Sequence, residues 1–363
     1  MPVKTRAAIA FGPNEPLQVR EVDLADPGQG QVMIKMLATG LCHTDLHILE
    51  DKMPHRFPAI LGHEGVGEIV AIGPEVEGFA LGDRVIPFSV PRCGKCPLCL
   101  SGRTNLCVEF GQRNNSESTP FSLDGKPIYY FMELGTFAEL SVVYADTLAK
   151  VPHAARPDHV CCIGCGITTG VGSALLRAKV SPGSTVAVIG CGGVGLGAIQ
   201  GARIAGASRI FAIDVNRSKE AAARASGATD FIDPAEGDLV AAIQGATGGG
   251  VDFAFDCVGI PRLSEQALEM THPAWGVALC VGMSPQGAQV STSPVNLMLG
   301  RSWTGSIMGG ATVHDVERFV AMYMAGEITL DEVVTDRLSL DHINDGLDMI
   351  RTGQTVRAVV VYD

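Results

Sequence analysis

The chain has 363 residues, a length that suits roughly two domains. Apolar residues make up 46% and charged residues 18%, which excludes a disordered chain. The formal charge of −12 argues against a nucleic-acid partner, because phosphate backbones require a basic surface. No targeting segment is visible, and the longest apolar run, Val186–Ile199, contains five glycines and is too short to cross a bilayer. We therefore expect a cytoplasmic protein without a membrane partner.

The N-terminal part has the pattern of a β-rich domain. Short apolar or β-branched runs alternate with Gly, Pro and Asp residues, which is typical of strands separated by turns. The predicted strands are Gln18–Val22, Val32–Ala38, Val66–Ile72 and Ala138–Val143.

A different pattern begins near Gly166, where fully apolar runs alternate with helical stretches. The predicted strands are Thr185–Ile189, Arg209–Asp214, Asp252–Asp256 and Val277–Val281, and the clearest helices are Leu196–Ala205 and Arg217–Ser226. Strands buried on both faces and separated by helices predict a doubly wound parallel sheet of the α/β class.

The pattern changes again after Ser306. Helices are predicted at Val313–Ala325 and Asp341–Thr352, followed by a final strand at Thr355–Tyr362. We expect this tail to pair with the N-terminal domain. The sheet domain, 167–307, would then be an insertion into a domain made of residues 1–166 and 308–363.

A glycine-rich segment follows the first predicted parallel strand. It matches the pattern G-x-G-x-x-G and comprises Gly190, Cys191, Gly192, Gly193, Val194 and Gly195. Glycines permit a tight turn and let the backbone approach a pyrophosphate, which the amino end of the next helix binds. The segment predicts a dinucleotide-binding turn; a turn used only for helix–sheet packing is the alternative.

An acidic residue at the end of the next strand agrees with this prediction. Asp214 lies 24 positions after Gly190, near the ~20 typical of dinucleotide-binding folds. A carboxylate accepts hydrogen bonds from ribose hydroxyls and repels a 2′-phosphate, so it favours NAD over NADP. Lys219 is a candidate contact to the adenosine half, with a solvated helix surface as the alternative.

Four of the 11 cysteines lie close together. Cys93, Cys96, Cys99 and Cys107 follow the pattern C-x2-C-x2-C-x7-C. Four thiolates close a tetrahedral Zn²⁺ shell without an open position, so we predict structural zinc. An iron–sulfur cluster is the alternative, since its cysteine ligands also occur at two-residue gaps.

A second set of soft ligands is spread along the chain. Cys42 and His63 stand 21 residues apart, and Cys165 lies between two glycines. Three protein ligands leave one tetrahedral position for water or a substrate oxygen, as in a catalytic Cys₂His zinc site. The alternative for each residue is a side chain that only fills the core.

These motifs together resemble the zinc-dependent medium-chain alcohol dehydrogenase family, nearest to its class III and aryl-alcohol branches. The resemblance covers essentially the whole chain. It rests on Gly62-His63-Glu64, the four-cysteine segment, Gly164-Cys165-Gly166, the glycine-rich turn and Val356-Arg357, which occur in the family's order. It implies an NAD-dependent oxidoreductase with two zinc ions per chain, in which the Rossmann domain is inserted into a GroES-like catalytic domain.

The resemblance also implies roles for individual residues. Cys42, His63 and Cys165 would hold the catalytic zinc, with Glu64 as a nearby carboxylate. Asp45 would orient His63 by accepting its second ring N–H. The further cofactor contacts that the resemblance implies are His43, Thr169, Val281, Met283 and Arg357.

A proton relay is implied in the same way. The Thr44 hydroxyl would pass the alcohol proton through a cofactor ribose hydroxyl to His47, which releases it to solvent, while a hydride moves to nicotinamide. For His47 the alternative is an ordinary surface histidine, and for Thr44 a residue that only caps the turn.

The branch of the family bears on the substrate. Residues 42–45 and 164–170 resemble the glutathione-dependent formaldehyde dehydrogenases, but that branch lacks a histidine at the His47 position. It also carries an arginine where this chain has Gly111, with Arg113 two residues further on. We therefore expect a free primary alcohol, with S-hydroxymethylglutathione as the alternative.

Residues of the expected substrate pocket follow from the resemblance as well. Ser89 stands where relatives carry an aromatic residue, which predicts a wide cavity for a bulky or aromatic alcohol. Phe131, Met53 and Met283 are candidate walls, with ordinary core filling as the alternative for Met53 and Met283. The stretch Gln112–Phe131 resembles a segment of dimeric relatives, so we expect a homodimer that pairs through the edge strand at Trp303–Ser306.

A function of another class remains open at this point. The chain could be a dinucleotide-binding protein that is stabilised by a structural zinc ion and has no catalytic activity. Such a protein needs neither an open metal position nor a proton relay, so the Cys42, His63, Cys165, Thr44 and His47 set favours the enzyme.

Overall fold

The computed structural model describes residues 2–109 and 118–363. The chain divides into two compact units. Unit 1 comprises Met1–Cys165, Thr312–Gly326 and Val334–Asp363, and unit 2 comprises Gly166–Ala311 and Glu327–Val333. Unit 2 is therefore inserted into unit 1.

Secondary structure alternates along most of the described chain. The strands are, in chain order, β1 (Val3–Ala10), β2 (Gln18–Leu24), β3 (Gln31–Gly40), β4 (Ala59–Ile60), β5 (Glu64–Ile72), β6 (Arg84–Pro87), β7 (Phe121–Leu123), β8 (Lys126–Tyr130), β9 (Leu140–Tyr144), β10 (Leu148–Lys150), β11 (Thr185–Ile189), β12 (Arg209–Ile213), β13 (Asp230–Ile232), β14 (Phe253–Asp256), β15 (Val277–Cys280), β16 (Ser302–Gly305), β17 (Asp336–Leu338) and β18 (Ala358–Val361). The α-helices are α1 (His43–Leu49), α2 (Pro97–Leu100), α3 (Pro157–Val160), α4 (Gly166–Gly172), α5 (Gly193–Ile204), α6 (Glu220–Ser226), α7 (Leu239–Thr247), α8 (Pro261–Glu269), α9 (Pro294–Met298), α10 (Val313–Met324) and α11 (Ile343–Arg351).

Unit 1 is built from β-sheet, as its alternating pattern predicts. The strands β1-β2-β7-β8-β4 close a barrel, and a 7-stranded sheet has the order β10-β6-β5-β3-β18-β17, with β9 paired to β3. Ile9, Leu24, Ile60 and Phe121 are fully buried in one apolar cluster, and burial of each such side chain contributes about 1.5–3 kcal/mol. The pairing of β18 with β3 shows that the C-terminal tail completes this sheet.

Register in the larger sheet brings distant residues together. In the antiparallel pair of β3 and β5, Gly40 at the end of one strand lies opposite Glu64 at the start of the other. Cys42 follows Gly40 by two residues, and His63 directly precedes Glu64. Strand pairing therefore carries both side chains to the same end of the sheet.

Unit 2 contains the predicted parallel sheet. Its six strands have the order β13-β12-β11-β14-β15-β16, and every neighbouring pair is parallel. The order reverses between β11 and β14, so the loops that follow these strands open a crevice at the carboxyl edge of the sheet. This edge is where ligands bind to doubly wound folds.

The observed division differs from the predicted boundaries, 1–166 with 308–363 and 167–307, at Gly166, residues 308–311 and Glu327–Val333. Glu327–Val333 packs with unit 2 because Gln200 and Thr329 exchange hydrogen bonds. The Gln200 amide donates to the Thr329 carbonyl at 2.9 Å, and the Thr329 N–H donates to Gln200 Oε1 at 2.8 Å. Such a long-range contact leaves no periodic pattern in the sequence.

The predicted helices have different ends in the structure. The one expected at Val313–Ala325 ends at Met324, and the one expected at Asp341–Thr352 is a 3₁₀ turn, Leu340–His342, followed by α11. The helix expected at Leu196–Ala205 begins at Gly193, and the helix expected at Arg217–Ser226 is a 3₁₀ turn, Arg217–Lys219, followed by α6. Among the described residues no single helix has the length and apolarity to cross a membrane. Two helices joined at a bend, Pro157–Gly164 and Gly166–Ala178, have the required length and apolarity only when they are counted together.

Candidate functional site

The first candidate centre lies in unit 1. The ligand atoms of Cys42, His63, Glu64 and Cys165 all lie within 4.8 Å of one another. Cys42 caps the amino end of α1, and Cys165 ends the 3₁₀ segment Cys161–Gly164. Two thiols and an imidazole at this separation form a donor set that fits Zn²⁺. The predicted ligands thus come together although Cys165 is more than 100 residues from the others.

Asp45 holds His63 through its ring and Cys42 through its backbone N–H. It is fully buried, and its Oδ1 lies 3.3 Å from His63 Nδ1 and accepts the Gly62 N–H at 3.0 Å. Its Oδ2 accepts the Cys42 N–H at 3.3 Å. If Nδ1 donates to this carboxylate, Nε2 carries the lone pair that a metal needs. The carboxylate therefore sets the tautomer of His63 as well as its position.

Charges around the two ligands shift their protonation. A hydrogen bond from Cys165 lowers the pKa of Cys42 well below its ordinary value, and His63 lowers it further against the effect of burial. Burial lowers the pKa of His63, but the Asp45 carboxylate and the Cys42 thiolate outweigh burial and raise that pKa well above its ordinary value. A thiolate at Cys42 is the form that binds a metal.

Glu64 lies beside these ligands and forms an ion pair with Arg357, but its carboxylate accepts no hydrogen bond from the described residues. It is fully buried, and in the part of the chain that the structure describes neither of its oxygens forms a hydrogen bond. Arg357 Nη1 lies 3.2 Å from Glu64 Oε1 and donates to the Leu41 carbonyl at 2.7 Å. Burial raises the pKa of Glu64 to about 8, against the opposing charge of Arg357. A buried acidic group with open lone pairs is consistent with a cation at this centre.

The predicted relay residues lie on α1, next to the centre. The Thr44 hydroxyl is 3.6 Å from Cys42 Sγ, and both Thr44 and His47 are half-buried. Burial, together with the charge of Lys52, lowers the pKa of His47. His43, the predicted cofactor contact, is exposed.

One of the predicted pocket residues has an aromatic ring in contact with the predicted metal ligand His63. Phe131 meets His63 edge to face, with ring centroids 5.4 Å apart. Met53 packs against the apolar cluster that contains Phe131, and Ser89 is buried just after β6. Sequence reasoning missed His55, whose ring meets Phe131 at 5.5 Å. No spacing pattern in the sequence indicates this contact.

The second candidate centre is the four-cysteine segment. The ligand atoms of Cys93, Cys96, Cys99 and Cys107 lie within 4.8 Å of one another, and all four residues are free thiols. Backbone N–H groups point at the sulfurs: Cys96 N donates to Cys93 Sγ at 3.3 Å and Cys99 N to Cys96 Sγ at 3.4 Å. Bonds from Val108 and Cys99 lower the pKa of Cys96 to about 6. This closed set of thiols fits a tetrahedral Zn²⁺.

The glycine-rich turn in unit 2 fits a dinucleotide. Gly190 has a φ of +91°, and a Cβ at Gly195 would lie 1.7 Å from the Gly190 carbonyl oxygen, so this packing requires glycine. A Cβ at Gly192 would meet nothing within 4 Å, and no side chain caps the amino end of α5. The structure thus leaves open space at a helix amino end, where a phosphate binds well.

Asp214 lies beside this turn with its oxygens held by near neighbours. It is buried, and its Oδ2 accepts the Cys191 N–H at 2.8 Å and Lys219 Nζ at 3.1 Å. Its Oδ1 accepts the Asn216 N–H at 2.9 Å. Lys219, a predicted adenosine contact, therefore pairs with Asp214.

The other predicted cofactor contacts of unit 2 lie on separate loops and on α4. The Thr169 hydroxyl is 3.6 Å from Met308 Sδ. Val281 is half-buried after β15, and Met283 is exposed. Gly111 and Arg113 lie outside the described residues, as does part of the stretch Gln112–Phe131.

The fold and the two cysteine centres define a zinc-binding dehydrogenase, and comparison with known proteins agrees. Residues 28–153 match the family model described as alcohol dehydrogenase GroES-like domain, and residues 193–324 match that described as zinc-binding dehydrogenase. An alcohol dehydrogenase class-3 from Cereibacter sphaeroides is 43% identical, and an S-(hydroxymethyl)glutathione dehydrogenase from Escherichia coli is 42% identical. Each alignment covers 99% of this chain and 100% of the relative.

A solved structure gives the same answer. Benzyl alcohol dehydrogenase from Acinetobacter calcoaceticus superimposes with a TM-score of 0.93 at 31% identity, over 99% of this chain and 100% of the other. The chain belongs to the zinc-dependent alcohol dehydrogenase family. It is an oxidoreductase whose cofactors are zinc and NAD, as its sequence motifs predict.

Proposed function

We propose that this enzyme oxidises a primary hydroxyl group to the carbonyl at the centre formed by Cys42, His63 and Cys165. The observation that carries the proposal is the convergence of these side chains within 4.8 Å, with the buried Asp45 carboxylate against His63. Zinc held there supplies a Lewis acid that lowers the pKa of an alcohol hydroxyl. The four-cysteine segment has no position left for a substrate, so it would hold the structural zinc.

The chain's own residues can remove the alcohol proton. The Thr44 hydroxyl lies beside Cys42 and can accept the substrate proton while it donates its own. His47, on the same helix, would hold the released proton before it passes to solvent. Its pKa is lowered by burial, so His47 is neutral near pH 7 and has a free nitrogen lone pair.

The turn of unit 2 would bind the pyrophosphate of NAD on the amino end of α5. The Asp214 carboxylate beside it disfavours a 2′-phosphate, and this supports NAD rather than NADP as the cofactor. His43, Thr169, Val281, Met283 and Arg357 stay predicted cofactor contacts.

Two substrates have support of different kinds. The class-3 and S-(hydroxymethyl)glutathione dehydrogenase relatives, at 43% and 42% identity, favour the glutathione adduct of formaldehyde. The free alcohol that we expected from His47 and Gly111 has weaker support, from benzyl alcohol dehydrogenase at 31% identity. We therefore place S-(hydroxymethyl)glutathione first and a bulky or aromatic alcohol second.

NADH absorbance tests both the chemistry and the order of substrates. We expect formaldehyde with glutathione to be oxidised far faster than benzyl alcohol, and Cys165→Ser to lower kcat about 100-fold or more by removing a zinc ligand. Cys280→Ser, which changes a thiol outside both cysteine centres, is the matched control. Rapid turnover of benzyl alcohol without glutathione would reverse the order of substrates, and an active Cys165→Ser enzyme would contradict the proposed site.

The second substrate has its own test at Ser89. If Ser89 lines the cavity, Ser89→Phe narrows it and lowers kcat/KM for benzyl alcohol more than for ethanol. An equal loss for both alcohols would show that Ser89 does not select for size. The homodimer and the cytoplasmic location stay predictions.

A further inference from the structure

Asp256 holds the loop that follows β14 at the carboxyl edge of the unit 2 sheet. The side chain is fully buried. Its Oδ1 accepts the Val258 N–H at 2.9 Å and the Gly259 N–H at 3.1 Å, and its Oδ2 accepts the hydroxyl of Ser264 on α8. A buried carboxylate is tolerated only when it is satisfied in this way. These bonds fix the loop 257–260 to the end of its strand.

The backbone of Asp256 also holds the next loop. Its carbonyl oxygen accepts the Val281 N–H at 2.9 Å and the Gly282 N–H at 2.8 Å. The two loops touch backbone to backbone: a Cβ at Gly282 would lie 2.3 Å from Gly259 N. Asp256 therefore joins the loops after β14 and β15 through both its side chain and its main chain.

The loop that follows β14 also packs against the glycine-rich turn. A Cβ at Gly190 would lie 2.6 Å from Val258 Cγ2, so the valine packs directly on the turn. The glycine-rich turn with the start of α5 (residues 190–195) and the loops 257–260 and 281–283, which we together call the dinucleotide rim, thus form one contiguous surface. Val258 is the residue through which the Asp256 carboxylate acts on the turn.

We infer that Asp256 is a positioning residue for the nicotinamide dinucleotide, through its hold on the dinucleotide rim. The inference rests on the proposed use of the glycine-rich turn for NAD. Without the carboxylate, the Val258 and Gly259 N–H groups lose their acceptor, and the rim loses the contact that keeps it in place before the cofactor arrives. Loops that are already ordered lose no conformational entropy when the cofactor binds. The affinity for the dinucleotide should therefore fall when the order of the rim is lost.

The same strand offers a matched control. Asp252 directly precedes β14 at its amino end, and it accepts the Thr185 N–H at 2.7 Å, the Thr185 hydroxyl at 2.9 Å and Trp275 Nε1 at 2.7 Å. Its bonds resemble those of Asp256 in number and kind. They lie at the opposite edge of the sheet from the dinucleotide rim.

The test is NADH binding to the zinc-loaded enzyme, followed by nucleotide fluorescence. We expect Asp256→Ala to raise the Kd about tenfold or more and Asp252→Ala to change it less than about twofold. Asp256→Asn should restore most of the affinity, because its amide oxygen still accepts both loop N–H groups. The unfolding temperature and the zinc content, measured on each variant, separate loss of fold from loss of affinity.

The results distinguish a failure of the Asp256 inference from a failure of the proposed function. Equal weakening by Asp256→Ala and Asp252→Ala, or unchanged affinity in Asp256→Ala, overturns the inference. If Asp256→Ala does not fold, Ser264→Ala removes one bond to the carboxylate and should weaken NADH binding about threefold; unchanged affinity in that variant overturns the inference too. An unsubstituted enzyme that does not bind NADH overturns the proposed function, and the inference with it.

Discussion

At the scale of single residues, one carboxylate organises the candidate catalytic centre. Asp45 reaches the ring of His63, the backbone N–H before it, and the backbone N–H of Cys42. Both ligands are thus oriented by a group that does not itself need to touch the metal. Such outer partners tune the basicity of a bound imidazole and its geometry.

Replacing Asp45 by Asn should weaken this centre while preserving its shape. We expect zinc affinity or kcat to fall about 10- to 100-fold, because the amide is a poorer partner for the His63 N–H. Asp51→Asn, in the exposed turn after α1, is the control and should have no effect. Zinc retention against a chelator and steady-state kinetics measure the two effects; equal behaviour of the two variants would contradict the role of Asp45.

The stability of the four-cysteine segment depends on the zinc ion that its sulfurs would bind. Cys99→Ser should reduce the zinc content from two ions per chain to one and lower the unfolding temperature, since metal binding free energy is part of the folding free energy of such a segment. Cys280→Ser should keep both ions. Metal analysis and thermal unfolding give the readouts, and a Cys99→Ser protein that retains two zinc ions would refute this assignment.

At the scale of elements, the dinucleotide site depends on how closely β11 approaches α5. The Gly195 Cα packs on the Gly190 carbonyl, and this contact fixes the angle at which the helix leaves the turn. The predicted start of the helix was three residues late, because the glycines that signal a turn already belong to its first turn.

Gly195→Ala should disrupt this contact. Its Cβ would lie 1.7 Å from a backbone oxygen, so we expect lower stability and loss of NADH binding. Gly245→Ala in α7 is a sharp contrast, because its Cβ would meet nothing within 4 Å and alanine stabilises a helix interior by roughly 0.5–1 kcal/mol. Chemical denaturation measures the stability of the two variants, and NADH titration measures their affinity for the cofactor. Similar effects from both variants would show that the predicted close approach is absent.

At the scale of the whole molecule, several exposed apolar residues directly precede an edge strand of unit 2 along the chain. Beyond β15, β16 pairs with no other strand in the described ranges. Met298, at the end of α9, is 83% exposed, and Val295, Leu297 and Leu299 are exposed beside it. Exposed apolar side chains grouped along the chain in this way are typical of protein–protein contacts, and the homodimer stays a prediction.

Met298→Glu should therefore weaken the association of two chains. We expect light scattering to give the unsubstituted protein a mass of twice 38.0 kDa and to show dissociation of the variant, because the glutamate puts a charge in an apolar interface. Leu81→Glu, at an exposed leucine of unit 1, should leave the dimer intact. A monomeric unsubstituted protein would refute the homodimer.

The sequence alone determined the features that depend on local pattern. The parallel strands, the glycine-rich turn and the four-cysteine set follow from periodicity and spacing, because a strand buried on two faces and a closed metal shell each require particular residue types at particular intervals. The set of Cys42, His63 and Cys165 follows from the family resemblance. The family resemblance follows from the order of these motifs.

Only the tertiary structure decided which distant side chains meet. The contacts of Arg357 with Glu64, of Thr329 with Gln200 and of Val258 with Gly190 each join segments well apart along the chain. The role of Asp256 was likewise invisible, since an aspartate at the end of a strand reads as an ordinary turn residue. Such contacts depend on sheet register and strand order, and these are set by the packing of the whole chain rather than by any local run of residues.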